Sequence, residues 1–393
     1  NPAYRPRELA YALQRSEVEC IVTIPSFRTS DYVGMLAELA PELTASKPGE
    51  FKNKELPFLR RVILYDPADP DNTQRPHPGF NTWPELLEAG ESITPEALDE
   101  ATAELDIDDP INIQYTSGTT GFPKAVVLTH HNILNNAWFS ALAMHFGPDD
   151  RLAVPVPFYH CFGMVLANLL CLSVGACLVL PCEHFDALAV LQAIAQERCT
   201  AVHGVPTMFI AELEHPRFGE FDLTSLRTGI MAGAPCPPAL MHRVIGDLHC
   251  PEILIGYGET EASPLTHLTT RDDSLERRTE TVGRNLPHQE VKVVNPGSGQ
   301  TVALGEIGEI CVRGPQVMAG YWHQEEETAL VLSNGRLRTG DVGYIDDDGY
   351  LLVTDADSTR NWVIRFDPAP VEQVVLVLQH RHLFQAALIS LPQ

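Results

Sequence analysis

Apolar and polar positions along this chain change period several times. Residues 6–17 repeat as an amphipathic helix, and residues 20–24 follow as a strand. Ser30 stands where the cap of a second helix is expected, over about 31–39. Arg61-Val62-Ile63-Leu64-Tyr65 reads as a buried strand, and the Pro- and Asp-rich stretch 66–79 as a loop. Thr94-Pro95-Glu96-Ala97 carries a helix start with proline just inside the cap. A short strand at Ile111 follows.

From residue 125 the pattern alternates. Residues 125–128, 152–155, 177–180, 201–203, 228–231 and 253–255 read as strands. Residues 132–144, 164–172, 186–196 and 238–245 read as helices between them. Such alternation predicts an α/β fold with a doubly wound, mostly parallel sheet covered on both faces. After Glu280 the helical period fades. Residues 282–314 are rich in glycine, valine and short alternating runs, which predicts a small β-rich subdomain. Residues 324–332 read as a helix. The acidic run Asp346-Asp347-Asp348-Gly349 is a solvated hairpin turn; a calcium loop would need further ligands that the sequence lacks. The expected divisions are an α/β portion, 1–281, a β-rich portion, 282–354, and a divergent segment, 355–393.

Composition narrows the class. The 393 residues are 44% hydrophobic, which suits a large globular core. The net charge is −25, from 27 basic and 52 acidic residues, so nucleic acid is not an expected partner. The most apolar stretch, 164–180, is broken by Asn168, Ser173 and Gly175 and predicts no transmembrane segment. Nine scattered cysteines without a Cys-x-x-Cys pair read as free thiols of a reducing compartment, the cytoplasm or a mitochondrial matrix. Oligomeric state is not legible.

The strongest chemical signal is Thr116-Ser117-Gly118-Thr119-Thr120-Gly121-Phe122-Pro123-Lys124. Glycines let backbone N–H groups approach an anion, hydroxyls donate to its oxygens, and lysine supplies charge. That is a polyphosphate cradle, although Phe122 and Pro123 between Gly121 and Lys124 separate it from the usual P-loop spacing. A second segment, Gly256-Tyr257-Gly258-Glu259-Thr260-Glu261, follows the strand at 253–255. Ligands of open α/β sheets lie beyond the carboxyl ends of strands, so both segments can face one crevice. Tyr257 offers a flat face to a purine, Thr260 a hydroxyl to a phosphate, and Glu261 an oxygen ligand to Mg2+. By itself, a tight turn with a capping Thr and Glu would explain this segment equally well.

The two segments, in this order, resemble the phosphate loop and the Tyr-Gly-x-Thr-Glu motif of the adenylate-forming superfamily. The opening Asn1-Pro2-Ala3-Tyr4-Arg5 and Phe27-Arg28-Thr29-Ser30-Asp31-Tyr32 are most similar to its fatty- and medium-chain acyl-CoA synthetases. The resemblance runs from Asn1 to about Val353, with Ala125 where the family usually has glycine. It implies the large AMP-binding domain followed by the start of a small α+β domain. It implies ATP, Mg2+ and coenzyme A, with Lys124, Thr260, Glu261 and His160 as the catalytic set. By resemblance, Asp341 of Thr339-Gly340-Asp341 takes the ribose hydroxyls, and Gly233-Ala234-Pro235 passes along the adenine. His160 lies beside the acyl carboxylate, and His203, Gly204 and Val205 line the acyl pocket. The implied reaction makes acyl-AMP and pyrophosphate from a carboxylic acid and Mg-ATP, then passes the acyl group to coenzyme A.

Beyond Val353 the pattern departs from the family. Arg360-Asn361 stands for a Lys-Asp pair, Ser358 for the hinge arginine, and Phe366-Asp367 for a glycine-rich tunnel loop. The lysine that relatives use in adenylation has no counterpart before Gln393. The expectation is an internal fragment of a longer synthetase. Two further readings stay open: a nucleotide- and acyl-binding homologue without turnover, and an adenylating enzyme with another acceptor.

Overall fold

A computed structural model of the chain describes residues 1–116 and 123–354. The chain forms two compact units, Asn1–Asp109 and a second that starts at Pro110.

In the first unit, Cys20–Thr23, Arg61–Leu64 and Asn81–Thr82 form a parallel sheet with Arg61–Leu64 in the middle. Val62, Ile63 and Leu64 are buried in succession, as expected of a central parallel strand covered on both faces. Leu13, Leu36, Leu43, Phe51 and Phe80 supply its core. The second helix is Tyr32–Leu39, and its cap is Asp31, not Ser30. Asp31 Oδ1 accepts the Gly34 N–H at 2.9 Å, while the Ser30 hydroxyl donates to the Pro2 carbonyl at 3.1 Å. The helix start at Thr94 is where the sequence placed it, with Thr94 Oγ1 accepting from Ala97 N. A helix that the sequence reading passed over, Trp83–Glu91, has a reciprocal cap between Thr82 and Glu85.

The second unit is built on seven strands. Their order is Arg284–Asn285, Leu265–Leu268, Glu252–Gly258, Thr228–Met231, Ala201–Val202, Arg151–Ala153 and Cys177–Val179. The last five are parallel and the first two antiparallel. Side chains alternate between two cores. Ile230 and Leu254 face His130–Ala143 and the helical run 161–174, while Met231, Ile253 and Ile255 face Ala187–Glu197, Pro206–Leu213 and Pro238–Gly246. This is the doubly wound α/β arrangement that the alternating pattern predicts. Helix His130–Ala143 is capped by Thr129, whose Oγ1 accepts from Asn132 N, and His130 and His131 occupy its first turn.

Two antiparallel sheets complete the unit. One pairs Pro110–Thr116, Lys124–Thr129 and Gly320–Tyr321. The other contains Glu290–Val294, Gly308–Arg313, Leu332–Ser333, Arg336–Ile345 and Leu351–Thr354. The acidic turn joins the last two strands. Asp346 Oδ1 accepts from Asp348 N and Tyr350 N, and Arg277 pairs with Asp346 and Asp348. An arginine, then, balances the acidic run. The boundary placed at 281/282 falls inside this unit, where Val282 N donates to Leu351 O and Leu351 N to Gly283 O. Among the described residues no helix is long and apolar enough to cross a membrane.

Candidate functional site

Of the expected phosphate cradle, Thr116, Pro123 and Lys124 are described, and Ser117, Gly118, Thr119, Thr120, Gly121 and Phe122 lie outside the described residues. Thr116 and Lys124 are cross-strand partners, so the segment joins the two arms of an antiparallel pair. Lys124 Nζ lies 4.7 Å from the ring centroid of Tyr321. The Tyr321 hydroxyl donates to Glu261 Oε1 at 2.8 Å. Lysine, tyrosine and glutamate thus form one chain of contacts.

The second segment begins as strand. Glu252–Gly258 runs on through Tyr257, and only residues 260–262 make a helical turn. Gly258 is required there, because a Cβ on it would stand 1.8 Å from the Pro264 carbonyl oxygen. Behind the turn, Met318 N donates to Glu261 O and Ser263 Oγ to Gln316 O, and Asn132 Nδ2 reaches the carbonyls of Pro315 and Val317. These bonds fix where Thr260 and Glu261 stand.

Tyr257 and Asp341 meet at the base of a cavity of about 210 Å3. Its lining includes Gly233, Ala234 and Pro235 together with residues 279–282 and 353–354. The Tyr257 hydroxyl donates to Asp341 Oδ2 at 2.7 Å, and both residues are buried. Asp341 lies inside the strand Arg336–Ile345, so Thr339-Gly340-Asp341 is no β-turn. Gly340, at φ +75°, makes a local irregularity in the ladder with Gly308–Arg313, and the Asp341 N–H donates to Thr339 Oγ1. Gly233, at φ +84°, gives the wall its turn, and a Cβ there would press on Val205 Cγ1 at 3.2 Å.

The electrostatics of the crevice are lopsided. Burial raises the pKa of Glu261 above the ordinary carboxylate range, opposed by the Tyr321 hydroxyl and by Lys124. Glu259 is held well above that range by burial first, then by the charges of Glu261 and Asp341. Its Oε1 is buried without a hydrogen-bond partner among the described residues.

The histidines do less chemistry than their residue type suggests. His160 Nδ1 accepts the Phe162 N–H at 3.1 Å and caps a short helical turn. Burial pushes its pKa down to about 4, so it is neutral near pH 7 and any gating it performs is steric. Its neighbour Cys161 is fully buried, and burial pushes its thiol pKa above the ordinary range. His203 is fully buried between Leu166 O at 2.8 Å and Ile230 N at 3.1 Å. Both ring nitrogens are therefore used in joining a helix to a strand. Gly204 continues this join, with its N–H donating to Ile230 O and its carbonyl accepting from Ala232 N. The segments 203–205 and 232–235 are thus in direct contact.

Sequence reasoning missed Tyr321, Cys236 and the cavity wall at 279–282. Tyr321 carries no local signal, since only strand pairing across the chain brings it to Lys124. Cys236 directly follows the predicted Gly233-Ala234-Pro235, and extending that segment by one residue would have found it.

Residues 1–322 match the family described as AMP-binding enzyme. The protein carrying the name acyl-CoA synthetase YngI, from Bacillus subtilis, is 42% identical over all of this chain and 70% of its own length. The mitochondrial medium-chain acyl-CoA ligase ACSF2 of Danio rerio is 39% identical over 95% of this chain and 61% of its own length. Among solved structures, the anthranilate CoA ligase AuaEII in complex with anthranoyl-AMP superposes with a TM-score of 0.74 at 23% identity, over 90% of this chain and 62% of that one. The chain therefore spans roughly two thirds of the length of the relatives it matches.

Proposed function

This chain belongs to the AMP-binding enzyme family, and from that premise we propose that it activates a carboxylic acid with ATP, giving acyl-AMP and pyrophosphate, and passes the acyl group to coenzyme A. The observation that carries the proposal is the cavity itself. Small residues at 233–235 and the buried Tyr257–Asp341 pair help to line a nucleoside-sized space, Thr260 and Glu261 follow the lining segment 255–258, and Lys124 is linked to Glu261 through Tyr321.

The chemistry assigned to each residue follows from its surroundings. Asp341, oriented by its bond from Tyr257, would accept from the ribose hydroxyls. Lys124 and the Thr260 hydroxyl would bind phosphate oxygens as the acid's carboxylate attacks the α-phosphorus and pyrophosphate leaves. In such a displacement the protein mainly positions the reactants and balances charge. Glu261 offers one hard carboxylate, and among the described residues no three His, Cys, Asp or Glu side chains gather to cage an ion. That donor set fits Mg2+, which keeps several waters and takes phosphate oxygens as its remaining ligands. When bound, it would neutralise charge on the polyphosphate.

The acyl chain would run past His160, His203, Gly204 and Val205, which lie outside the cavity lining but adjoin it where Gly204 O accepts from Ala232 N. A medium-chain acid fits the names carried by the relatives. Pyrophosphate exchange into ATP, measured across a panel of fatty acids, tests the first step. Exchange with an acid of intermediate length supports the reading; no exchange with any acid, while ATP still binds in a calorimeter, sinks it. For the second step, coenzyme A should release AMP from a preformed acyl-adenylate.

A further inference from the structure

We infer that Tyr321 is a positioning residue that holds Lys124 and Glu261 in register, so that the phosphate-binding ammonium and the metal-binding carboxylate act as one unit; this rests on the nucleotide reading of the crevice. Tyr321 touches both groups by different parts of its side chain. Its ring lies under Lys124 Nζ at 4.7 Å, and its hydroxyl donates to Glu261 Oε1 at 2.8 Å. A cation over an aromatic face is attracted by the ring's quadrupole, and the attraction grows where water is excluded. The hydrogen bond fixes which oxygen of Glu261 is committed to the protein and leaves Oε2 as the one to bind an ion.

The backbone gives this tyrosine little freedom. Tyr321 pairs with Val126, and Gly320 with Val127, on the strand that begins at Lys124. Lys124 and Val126 share a face of that strand, so Lys124 is the diagonal cross-strand neighbour of Tyr321. Ala319 N and Trp322 N donate to Val127 O and Ala125 O on either side. The Tyr321 N–H donates to Thr328 Oγ1 at 2.9 Å, and Thr328 in turn donates to the Gln324 carbonyl. One residue before this pairing, Met318 N donates to Glu261 O at 2.9 Å. A single short stretch, 318–322, is therefore bonded to both the glutamate turn and the lysine strand. Groups that hydrogen-bond a metal-ligating carboxylate fix its orientation, and losing one lowers metal affinity by about 10- to 100-fold.

The test separates the two halves of the side chain. Tyr321→Phe keeps the ring and removes the hydroxyl; Tyr321→Leu removes both. Calorimetric titration with ATP is run at graded Mg2+ and again in EDTA. For Tyr321→Phe, the Mg2+ needed for half-maximal ATP binding should rise about tenfold, with affinity in EDTA unchanged. For Tyr321→Leu, affinity should fall in both conditions. Adding Glu261→Gln to Tyr321→Phe should cost nothing beyond Glu261→Gln alone. If Tyr321→Phe titrates with Mg2+ like the wild type, or weakens ATP binding equally with and without Mg2+, Tyr321 is merely packing and the inference is wrong. Failure of the wild-type chain to bind ATP at all would overturn the nucleotide reading itself, a result distinct from either. A thermal melt of each variant reports its folding, and should Tyr321→Phe not fold, the Mg2+ titration of Glu261→Gln against Lys124→Ala decides the coupling: equal shifts support it, and a shift in only one overturns it.

Discussion

The hydroxyl of Tyr257 donates to Asp341 Oδ2 at 2.7 Å, joining the parallel sheet to the β-rich sheet at the floor of the cavity. The ring that was expected to offer its face to a base thus also orients the carboxylate expected to hold the sugar. Asp341→Ala should lower ATP affinity by about tenfold or more, since it removes an acceptor from the ribose. Tyr257→Phe should instead cost about 1–2 kcal/mol of folding stability, because it removes a hydrogen bond to a buried carboxylate. Calorimetry and urea unfolding distinguish the two; an Asp341→Ala protein with unchanged ATP affinity would remove the ribose assignment.

Lys124→Ala and Glu261→Ala should each weaken Mg-ATP binding by at least about tenfold, the scale of one charge-assisted contact. Calorimetric titration measures this directly. Unchanged affinity in both variants would mean that the nucleotide binds elsewhere.

Two glycines predict opposite outcomes for the same substitution. At Gly258 an added methyl meets the Pro264 carbonyl oxygen at 1.8 Å, so Gly258→Ala should destabilise the second unit by several kcal/mol, roughly 2 or more. At Gly90, in the helix Trp83–Glu91, it meets nothing within 4 Å, so Gly90→Ala should stabilise the first unit by about 0.5–1 kcal/mol. Thermal melts that move in the same direction for both would contradict the backbone geometry at one of them.

Glu212 is buried on the helix Pro206–Leu213, and its Oε2 has no partner among the described residues. Burial pushes its pKa up to about 8, from an ordinary value of 4.5. The folded state therefore keeps a proton that the unfolded state releases. The contribution to stability is complete below about pH 4.5 and is lost as pH rises toward 8. Glu212→Gln, which mimics the protonated form, should flatten the fall in stability across that window. Urea midpoints at pH 5 and pH 8 read the difference, and an unchanged slope would show that Glu212 ionises freely in the folded protein.

His203 works in the other direction. Burial pushes its pKa down to about 4 from 6.5, so the folded protein holds it neutral. The associated stability is present above about pH 6.5 and is lost as pH falls toward 4. His203→Gln should lessen the loss between pH 6.5 and pH 4.5, at a cost in stability at pH 7 from the broken join between Leu166 and Ile230. A variant as acid-sensitive as the wild type would show that other groups dominate, with His160 and His267 the first to test.

Features encoded by neighbouring residues were legible in the sequence. The alternation after residue 125 gave the parallel sheet, because each strand and helix buries a face that its own period reveals. The Tyr257–Glu261 segment could be placed at a strand end for the same reason. Choices between adjacent groups were not legible: Ser30 and Asp31 are both good caps, and only the fold decides which oxygen reaches the Gly34 N–H. Thr339-Gly340-Asp341 has turn composition, yet its glycine serves an irregularity inside a strand. The roles of Tyr321 and His203 depend on partners far along the chain, and a single sequence carries no record of such pairings. The greater part of the phosphate cradle, 117–122, lies outside the described residues, so its role continues to rest on its residue types.

The cavity takes its walls from residues 255–258 of one sheet, 341–342 and 353–354 of another, and the connecting residues 233–236 and 279–282. No single stretch could form it alone. A nucleotide that occupies it can bind only where both sheets are docked, so its binding energy is shared with the folding of the whole second unit. At a concentration one hundred times its dissociation constant, such a ligand adds about 2.7 kcal/mol to the unfolding free energy. The melting temperature of the protein then becomes a gauge of nucleotide occupancy, readable before any reaction has been detected.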